Sequence, residues 1–383
     1  MHKTAALKQA EDFLIFKLAE RQQAGNYRAL KSESGLADFC SNDYLGFARS
    51  EALKQSIAAE TANHPLSLNG SAGSRLLYGN IQYAEELEKQ IADWHESEAG
   101  LLFNSGYDAN LGLISSLAQR GDTLILDDLV HASIIDGARL SYANRYSFKH
   151  NNPESLENKL KLAKGNCYVI IESVYSMDGD TPPLHEIVAL TEKYNAALIV
   201  DEAHAVGLYP KGLVHNLNLQ QRVFARVVTF GKALGSHGAA VLGSNNLRNY
   251  LINFARPFIY TTAAPFHQLA AVKMAYGLLE TSADNMRELR NNICLFKDKI
   301  KPGKDFTLIE SNSAIQCILL GSNQLARQAA NQLQINGLDV RAILSPTVAT
   351  GTERIRICLH SFNTENELTL LADTLKNLAQ VHA

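Results

Sequence analysis

Lys232 and Asp201 are the residues of this sequence whose types and spacing point most directly to chemistry. Lys232 follows the apolar run Arg226–Phe230 and stands in the glycine-flanked segment Gly231–Gly235, whereas Asp201 ends the apolar run Ala197–Val200. The two lie 31 residues apart, enough for one crossover between neighbouring parallel strands. An amine and a carboxylate at adjacent strand ends can hold the two ends of a pyridoxal 5'-phosphate ring. The lysine would form a Schiff base with the aldehyde, and the aspartate would keep the pyridine nitrogen protonated.

Gly106, Tyr107 and Thr229 are the candidates for holding the phosphate of such a ring. Gly106 and Tyr107 stand where a helical pattern begins after the apolar run Gly100–Phe103. Backbone N–H groups at a helix start suit a phosphate dianion, although an ordinary strand–helix turn has the same sequence. Thr229 lies three residues before Lys232 and can add a hydroxyl to the same phosphate.

His131 and Ser176 are the candidates for contacting the ring itself. His131 follows the apolar run Thr123–Leu126 and can stack on the pyridine face, although a single loop histidine is more often structural. Ser176 follows the apolar run Cys167–Ile171 and is placed to hydrogen-bond the ring 3-hydroxyl. The Asp-Glu-Ala-His segment that ends at His204 also occurs in nucleotide-driven helicases. This chain lacks the Gly-x-x-x-x-Gly-Lys-Ser/Thr loop that helicases need, which excludes that function.

Short apolar runs alternate with helical patterns through most of the chain. Continuous apolar strands separated by helices are typical of an α/β fold with a parallel or mixed sheet covered on both faces. Ligands of such sheets bind beyond the carboxyl ends of the strands, which is where the candidate residues fall. The predicted strands are Gly100–Phe103, Thr123–Leu126, Cys167–Ile171, Ala197–Val200, Val227–Phe230 and Ala239–Leu242, with Ala314–Leu319 and Arg354–Leu359 in a smaller C-terminal unit.

The length of 383 residues is sufficient for two domains. We predict an N-terminal helical arm at residues 1–40 and a large cofactor-binding domain at residues 41–270. A long helical stretch near His267–Leu279 is predicted to lead into a smaller α/β domain at residues 271–383.

The composition is that of an ordinary globular protein, with 46% hydrophobic and 20% charged residues. The net charge of −3 indicates neither a nucleic-acid nor an anionic-membrane partner. Five scattered cysteines without a Cys-x-x-Cys pair argue against a disulfide framework and a structural zinc site, so no metal is expected. The N-terminus has no apolar signal core, and no apolar run is long enough to span a bilayer. We therefore expect a cytoplasmic protein.

As an ordered set, these segments closely resemble the α-oxoamine synthases, a pyridoxal-phosphate family of the aspartate-aminotransferase fold. The resemblance runs from about Arg21 to the C-terminus. It implies a three-layer large domain with a mostly parallel sheet and a smaller C-terminal domain. The segments that carry it are Ser41-Asn-Asp-Tyr-Leu-Gly46, Gly73-Ser-Arg-Leu-Leu-Tyr-Gly79, His131-Ala-Ser133, Ser176-Met-Asp-Gly179, Asp201-Glu-Ala-His204, Thr229-Phe-Gly-Lys232 and Arg354-Ile-Arg356.

The resemblance implies a role for each matching residue. Catalysis is expected from Lys232, His131 and Asp201. Cofactor contacts are expected from Gly106, Tyr107, His131, Ser176, Asp201, His204, Thr229, Lys232 and, across to a neighbouring subunit, Thr262. Substrate contacts are expected from Arg28, Asn42, His131, Thr347 and Arg356, with Arg356 binding the amino-acid carboxylate and Arg28 and Thr347 contacting the acyl group.

Within the family, Ala255-Arg-Pro-Phe-Ile-Tyr-Thr-Thr262 looks most like members that condense L-alanine with a pimeloyl thioester, carried by coenzyme A or by acyl carrier protein. A sister reaction, glycine with acetyl-CoA, is the alternative, because discrimination of one methyl group is worth only about 1–3 kcal/mol. A non-catalytic scaffold subunit is a second alternative, against which the presence of Lys232 argues. An aminotransferase of the same fold is a less favoured alternative, because the segments between Arg28 and Tyr78 resemble those of the synthases. The resemblance also implies a homodimer with shared active sites.

Overall fold

The computed structural model describes residues 4–30, 32, 35–301 and 307–382. Helices and strands alternate through most of this length, as the sequence predicts. The helices are α1 Ala5–Gln23, α2 Glu51–Ala62, α3 Gln82–Trp94, α4 Gly106–Leu117, α5 Ala132–Leu140, α6 Pro153–Leu160, α7 Leu184–Lys193, α8 Leu213–Asn216, α9 Asn245–Phe254, α10 Arg256–Ile259, α11 Phe266–Glu280, α12 Ala283–Lys299, α13 Asn323–Ile335 and α14 Glu365–His382. The strands are β1 Ala37–Asp38, β2 Ala99–Phe103, β3 Thr123–Asp127, β4 Asn144–Phe148, β5 Cys167–Glu172, β6 Ala197–Asp201, β7 Ala225–Thr229, β8 Ala239–Gly243, β9 Thr307–Leu308, β10 Ile315–Leu319, β11 Leu338–Asp339, β12 Arg341–Ile343 and β13 Arg354–Cys358.

A seven-stranded mixed sheet forms the centre of the molecule, in the order β2-β8-β7-β6-β5-β3-β4. Strand β8 runs antiparallel to both of its neighbours, and the pairs from β7 to β4 are parallel. The parallel register sets Glu172 of β5 opposite Asp201 of β6, so two carboxyl groups end neighbouring strands. The crossover from β6 to β7 brings Lys232, which follows β7, to the same edge.

Helices cover both faces of this sheet and give three layers. Along β5, the side chain of Ile170 belongs to the apolar cluster beneath α4 and α5, whereas Val169 and Ile171 belong to the cluster beneath α6 and α7. This alternation buries both faces of the strand, which explains why the strand is apolar without interruption.

A second, antiparallel sheet, in the order β12-β13-β10-β9, lies near the C-terminus and carries Arg356 at the middle of β13. Strand β1 pairs with β11 in a separate two-stranded sheet, so residues near position 38 contact residues near position 339. The predicted division into residues 1–40, 41–270 and 271–383 stays a prediction.

The predicted α/β class with a mostly parallel main sheet is confirmed. The sequence analysis did not predict β4, because four of its five side chains are exposed or partly exposed at the edge of the sheet and the segment Asn144–Phe148 shows no apolar run. None of the helices in the described residues is long and apolar enough to cross a membrane.

Candidate active site

A cavity of about 290 Å³ opens at the carboxyl ends of the central strands. It brings together most of the residues that the sequence analysis proposed, although they come from loops far apart in the chain. The predicted residues that line it are Asn42, Gly106, Tyr107, His131, Asp201, His204, Thr229 and Lys232.

Lys232 projects into this cavity from the tight turn after β7. The turn requires Gly235, whose φ is +56°, because a Cβ atom there would lie 2.2 Å from the backbone nitrogen of Ala48. Burial lowers the pKa of the Lys232 amine to about 8, against the opposing effect of the Asp201 and Glu172 carboxyl groups. A lysine with this pKa has an appreciable neutral, nucleophilic fraction near neutral pH.

The N-terminus of α4 forms one end of the cavity. Ser105 caps the helix, because its hydroxyl accepts a hydrogen bond from the backbone N–H of Asp108 at 3.0 Å. Gly106 begins the helix directly against Thr229, and a Cβ atom at Gly106 would lie 2.6 Å from Thr229 Cγ2. Only glycine allows the helix N-terminus to approach the Thr229 methyl group this closely, and the N–H groups of a helix N-terminus suit a phosphate. The Thr229 hydroxyl, which lines the same cavity, donates a long hydrogen bond of 3.4 Å to the carbonyl of Ala203.

Tyr107 lines this end of the cavity, but its hydroxyl is directed elsewhere. The hydroxyl donates a short hydrogen bond to Asp136 Oδ2 on α5. A phosphate contact from Tyr107 would therefore come from its backbone N–H, as the sequence analysis proposed.

Asp201 is 5% exposed and is held from two sides. Its Oδ1 accepts a hydrogen bond from the backbone N–H of Ala203 at 2.9 Å, and its Oδ2 accepts one from Asn110 Nδ2 on α4 at 2.7 Å. Asn110 also donates to Ser133 Oγ at 3.0 Å, and Ser133 Oγ lies 2.8 Å from His131 Nδ1. The carboxylate and the exposed His131 imidazole are thus joined through two fully buried polar side chains that the sequence analysis did not single out.

Glu172 is a second buried carboxyl group in the cavity that the sequence analysis missed. Burial, and next the neighbouring Asp201, raise the pKa of Glu172 to about 8. Its Oε2 accepts a hydrogen bond from the backbone N–H of Ser176 at 3.1 Å. Ser176 itself is buried behind the cavity, and its carbonyl accepts a hydrogen bond from Arg356 Nε at 2.8 Å. The only sequence signal for Glu172 is its place at the end of an apolar strand.

Arg356 is almost fully buried and faces Asn42 at the edge of the cavity. Its Nη2 donates to Asn42 Oδ1 at 3.0 Å, and the same oxygen lies 3.1 Å from the hydroxyl of Tyr44. The Tyr44 hydroxyl is in turn 2.7 Å from His204 Nδ1. One continuous hydrogen-bonded chain thus runs from Arg356 to His204.

The remaining predicted residues lie outside this cavity. Arg28 and Thr347 line a separate cavity of about 150 Å³, in which Arg28 Nη2 donates to Thr347 Oγ1 at 3.4 Å. Thr262 is exposed, and its carbonyl accepts a hydrogen bond from Asn104 Nδ2 at 2.9 Å. The structure brings Arg28 and Thr347 together, as a shared role requires, but does not place either of them beside Lys232.

The main cavity fits pyridoxal phosphate in the chemistry of its donors. The open helix N-terminus at Gly106 suits the phosphate, the hydrogen-bonded carboxylate of Asp201 suits a protonated pyridine nitrogen, and the low pKa of Lys232 suits reaction with an aldehyde. These three features lie at or just after the ends of three different strands, β2, β6 and β7, at one edge of the sheet.

Comparisons with known proteins identify the family of this chain. Residues 34–375 match the family described as aminotransferase class I and II. A protein of Emericella nidulans named 8-amino-7-oxononanoate synthase is 42% identical over 374 aligned positions, which cover 91% of this chain and 90% of the relative.

Solved structures show the same fold over nearly the whole length. Serine palmitoyltransferase from S. paucimobilis, in a complex that contains pyridoxal phosphate, is 26% identical, with a TM-score of 0.88 and coverage of 98% of each chain. An 8-amino-7-oxononanoate synthase from Francisella tularensis is 28% identical, with a TM-score of 0.77 and coverage of 92% of this chain and 100% of that one. The chain therefore belongs to the aminotransferase class I and II family and, within it, is a pyridoxal-phosphate-dependent acyltransferase of the α-oxoamine synthase type.

Proposed function

We propose that this protein condenses L-alanine with a pimeloyl thioester, carried by coenzyme A or by acyl carrier protein, and releases carbon dioxide to give 8-amino-7-oxononanoate in biotin biosynthesis. The observation that carries the proposal is the shared cavity in which Lys232, with a pKa of about 8, faces the carboxylate of Asp201. The 42% identity to a relative named for this product supports the choice of substrates.

When bound, pyridoxal phosphate supplies an electron sink for the carbanion that forms at the α-carbon of the amino acid. Asp201, held by Asn110 and the Ala203 N–H, would hold the pyridine-nitrogen end of the cofactor. Lys232 would hold the aldehyde end of the cofactor, and its amine, with a pKa of about 8, would take the α-proton of the amino acid.

Arg356 and His131 handle the substrates in this proposal. The guanidinium of Arg356 binds the alanine carboxylate through two parallel hydrogen bonds, in place of its contact with Asn42. The α-carbon forms a bond to the thioester carbonyl carbon, and the thiol leaves with the bonding pair. His131, exposed at the cavity, hydrogen-bonds the oxygen that gains charge during this step. Loss of carbon dioxide from the former alanine carboxyl group and return of a proton to the α-carbon complete the product.

Binding of the acyl chain is assigned to the second cavity. Arg28 offers a guanidinium at the surface, next to the hydroxyl of Thr347, and this pair suits the free carboxylate at the far end of a pimeloyl chain. An acetyl group has no such carboxylate, which favours the longer donor over the sister reaction of glycine with acetyl-CoA.

We further propose that the protein acts as a homodimer in the cytoplasm. Large apolar side chains are exposed beside the segment that contains Thr262, with Leu77 88% and Tyr260 73% exposed. The Gly73 and Ala263 segments are joined by a backbone hydrogen bond of 2.9 Å, so these side chains belong to one surface. A subunit interface would cover this surface and bring Thr262 towards the phosphate of the neighbouring site.

The test is thiol release by the purified protein loaded with pyridoxal phosphate. L-alanine with pimeloyl-CoA is compared with glycine and acetyl-CoA, and each donor is also assayed without an amino acid as a control. Release with the first pair alone, together with 8-amino-7-oxononanoate identified by mass spectrometry, is the expected result. A preference for glycine and acetyl-CoA would overturn the choice of substrates. If both CoA pairs are silent, pimeloyl-acyl carrier protein is assayed, and silence with that donor also would overturn the proposal.

A further inference from the structure

Tyr44 is a buried residue behind the cavity that none of the roles above uses. Tyr44 is 1% exposed, and its hydroxyl lies 3.1 Å from Asn42 Oδ1 and 2.7 Å from His204 Nδ1, with the guanidinium of Arg356 also close by. Tyr44 does not line the cavity, whereas Asn42 and His204 both do. The tyrosine therefore reaches the cavity through Asn42 and His204.

The direction of each hydrogen bond in this chain follows from counting protons. The guanidinium of Arg356 has only donors, so the Asn42 atom 3.0 Å from its Nη2 is the amide oxygen, which only accepts. The single phenol proton of Tyr44 is therefore donated to the same Asn42 oxygen. The bond between Tyr44 and His204 then needs its proton from Nδ1 of the histidine.

The other ring nitrogen of His204 is bare as a consequence. Burial, and next the positive charges of Lys232 and Arg356, hold the pKa of His204 well below its ordinary value, so the ring carries one proton. With that proton on Nδ1, the nitrogen Nε2 is left as a hydrogen-bond acceptor. The phenol proton stays on Tyr44, because burial raises the pKa of Tyr44 far above its ordinary value.

We propose that Tyr44 is a positioning residue that links the Asn42–Arg356 pair to His204. Its phenol proton is donated to Asn42, so its oxygen accepts the proton of His204 Nδ1 and fixes His204 as the Nδ1–H tautomer. The other ring nitrogen, Nε2, then faces the cofactor 3-oxygen as a hydrogen-bond acceptor. The inference rests on the proposed function and on the cofactor contact that the resemblance implies for His204, here taken as a contact with the 3-oxygen. An acceptor at this position favours a proton on the 3-oxygen. Because Asn42 Oδ1 is shared by Tyr44 and Arg356, a carboxylate that draws Arg356 away from Asn42 also changes the bond that orients His204.

The first test is the ¹⁵N NMR spectrum of the full-length holoenzyme labelled at histidine, in which protonated and bare ring nitrogens resonate in separate regions. The signals of His204 are identified by their loss in His204→Gln. A protonated Nδ1 and a bare Nε2 are expected. A protonated Nε2 in the wild-type holoenzyme would overturn the proposal. This measurement is made on a protein with Tyr44 intact, so it does not depend on whether a Tyr44 variant folds.

The second test compares Tyr44→Phe with Tyr276→Phe. Tyr276 is a matched control, since it also gives a buried tyrosine–histidine hydrogen bond, 2.9 Å to His95 Nε2, but lies outside the cavity. In Tyr44→Phe, the His204 Nδ1–H loses its acceptor, so the proton is expected to redistribute towards Nε2 and to donate to the 3-oxygen.

Two absorption bands of the bound cofactor report whether its 3-oxygen holds the proton. Their ratio is expected to change about fivefold in Tyr44→Phe, the effect of one neutral hydrogen bond, and to stay constant in Tyr276→Phe. Unchanged His204 nitrogen signals and an unchanged band ratio in Tyr44→Phe would overturn the role of Tyr44. None of these readouts uses an acyl donor, so they remain valid if the proposed acyl substrate is wrong.

Discussion

Asn110 and Asp201 are joined by a 2.7 Å hydrogen bond between the amide Nδ2 and the carboxylate Oδ2, although they lie 91 residues apart in the chain. Asn110 is in the second turn of α4, the helix whose first turn faces Thr229. One helix therefore supplies both the N–H groups suited to the phosphate and the amide that orients the carboxylate at the other end of the ring. This arrangement fixes the distance between the two ends of the cofactor site.

Replacement of Asn110 by alanine is expected to lower turnover about 10- to 100-fold. A hydrogen bond to a charged group is worth about 1.5–3 kcal/mol, and Asp201 would keep only the Ala203 N–H as a partner. The measurement is the rate of thiol release by the wild type and the variant.

Ser115→Ala is the control for this change. Ser115 lies on the same helix, and within the described part of the chain its hydroxyl donates only to the carbonyl of Leu111. We expect the control to keep the rate of the wild type. An Asn110→Ala enzyme that releases thiol at the wild-type rate would contradict a role of Asn110 in holding Asp201.

Lys232 and Asp201 could be predicted from the sequence because each follows an apolar run, and the carboxyl ends of adjacent parallel strands meet at one edge of a sheet. Gly106 and His131 were found in the same way. Asn110 gives no such signal, because a single polar residue inside a helix is common. Its partner, Asp201, ends a strand far away in the sequence. The role of Tyr44 could not be predicted either, because Tyr44 and His204 are 160 residues apart in the sequence and no local pattern indicates their contact.

The fold was predictable to a similar degree and for similar reasons. Strands buried on both faces, such as β5, appear in the sequence as continuous apolar runs. The exposed edge strand β4 has no such run, and the two-residue strands β1 and β11 are too short to show any period. Their pairing depends on a contact between the two ends of the chain, which no local pattern contains.

Replacement of Lys232 by alanine is expected to reduce turnover on the order of 10³-fold or more, because the variant has no amine to take the α-proton. Pyridoxal phosphate should still bind through the end of α4, Thr229 and Asp201, although without a covalent link to the protein. Lys193→Ala is the control, since Lys193 forms an exposed ion pair with Glu157. Thiol release and borohydride trapping of the cofactor on the protein are measured together. Normal turnover in Lys232→Ala would refute the assigned chemistry.

Replacement of Arg356 by lysine is expected to raise KM for the amino acid about 10-fold or more and to change kcat less. A lysine keeps the charge but cannot form two parallel hydrogen bonds to a carboxylate. Arg341→Lys provides the control, because Arg341 lies opposite Arg356 in the sheet and pairs with Asp339. Steady-state kinetics with varied L-alanine separate the two constants. An unchanged KM in Arg356→Lys would show that the carboxylate binds elsewhere.

His150 joins the loops that carry His131 and Ser176. Its Nδ1 lies 2.8 Å from Asp127, at the end of β3, and its Nε2 lies 2.8 Å from Asp180, which follows the Ser176 turn. Tyr175 packs edge-on against the imidazole, with ring centroids 4.4 Å apart, and Asn151 Nδ2 also contacts Asp180. Burial alone would lower the pKa of His150, but the hydrogen bonds and charges of the two carboxylates prevail and raise it to about 9.

A pKa that folding raises makes the free energy of unfolding depend on pH. The unfolded histidine titrates near pH 6.5, so the contribution of the protonated His150 to stability is fully present below that pH and is lost as the pH rises through about 9. We expect this contribution to be on the order of 2 kcal/mol. In His150→Gln, the free energy of unfolding should not include this contribution, so between pH 6 and pH 9.5 the variant should lose less stability than the wild type.

Urea unfolding of the wild type, His150→Gln and the exposed control His185→Gln, each at both pH values, measures this difference. The control should follow the wild type, because His185 lies on the surface of α7. Because other groups titrate in the same interval, the informative quantity is the difference between wild type and variant, which should shrink as the pH rises. A difference that stays constant would show that His150 acts as a neutral hydrogen-bonded link between the two carboxyl groups, with no charge of its own in the folded protein.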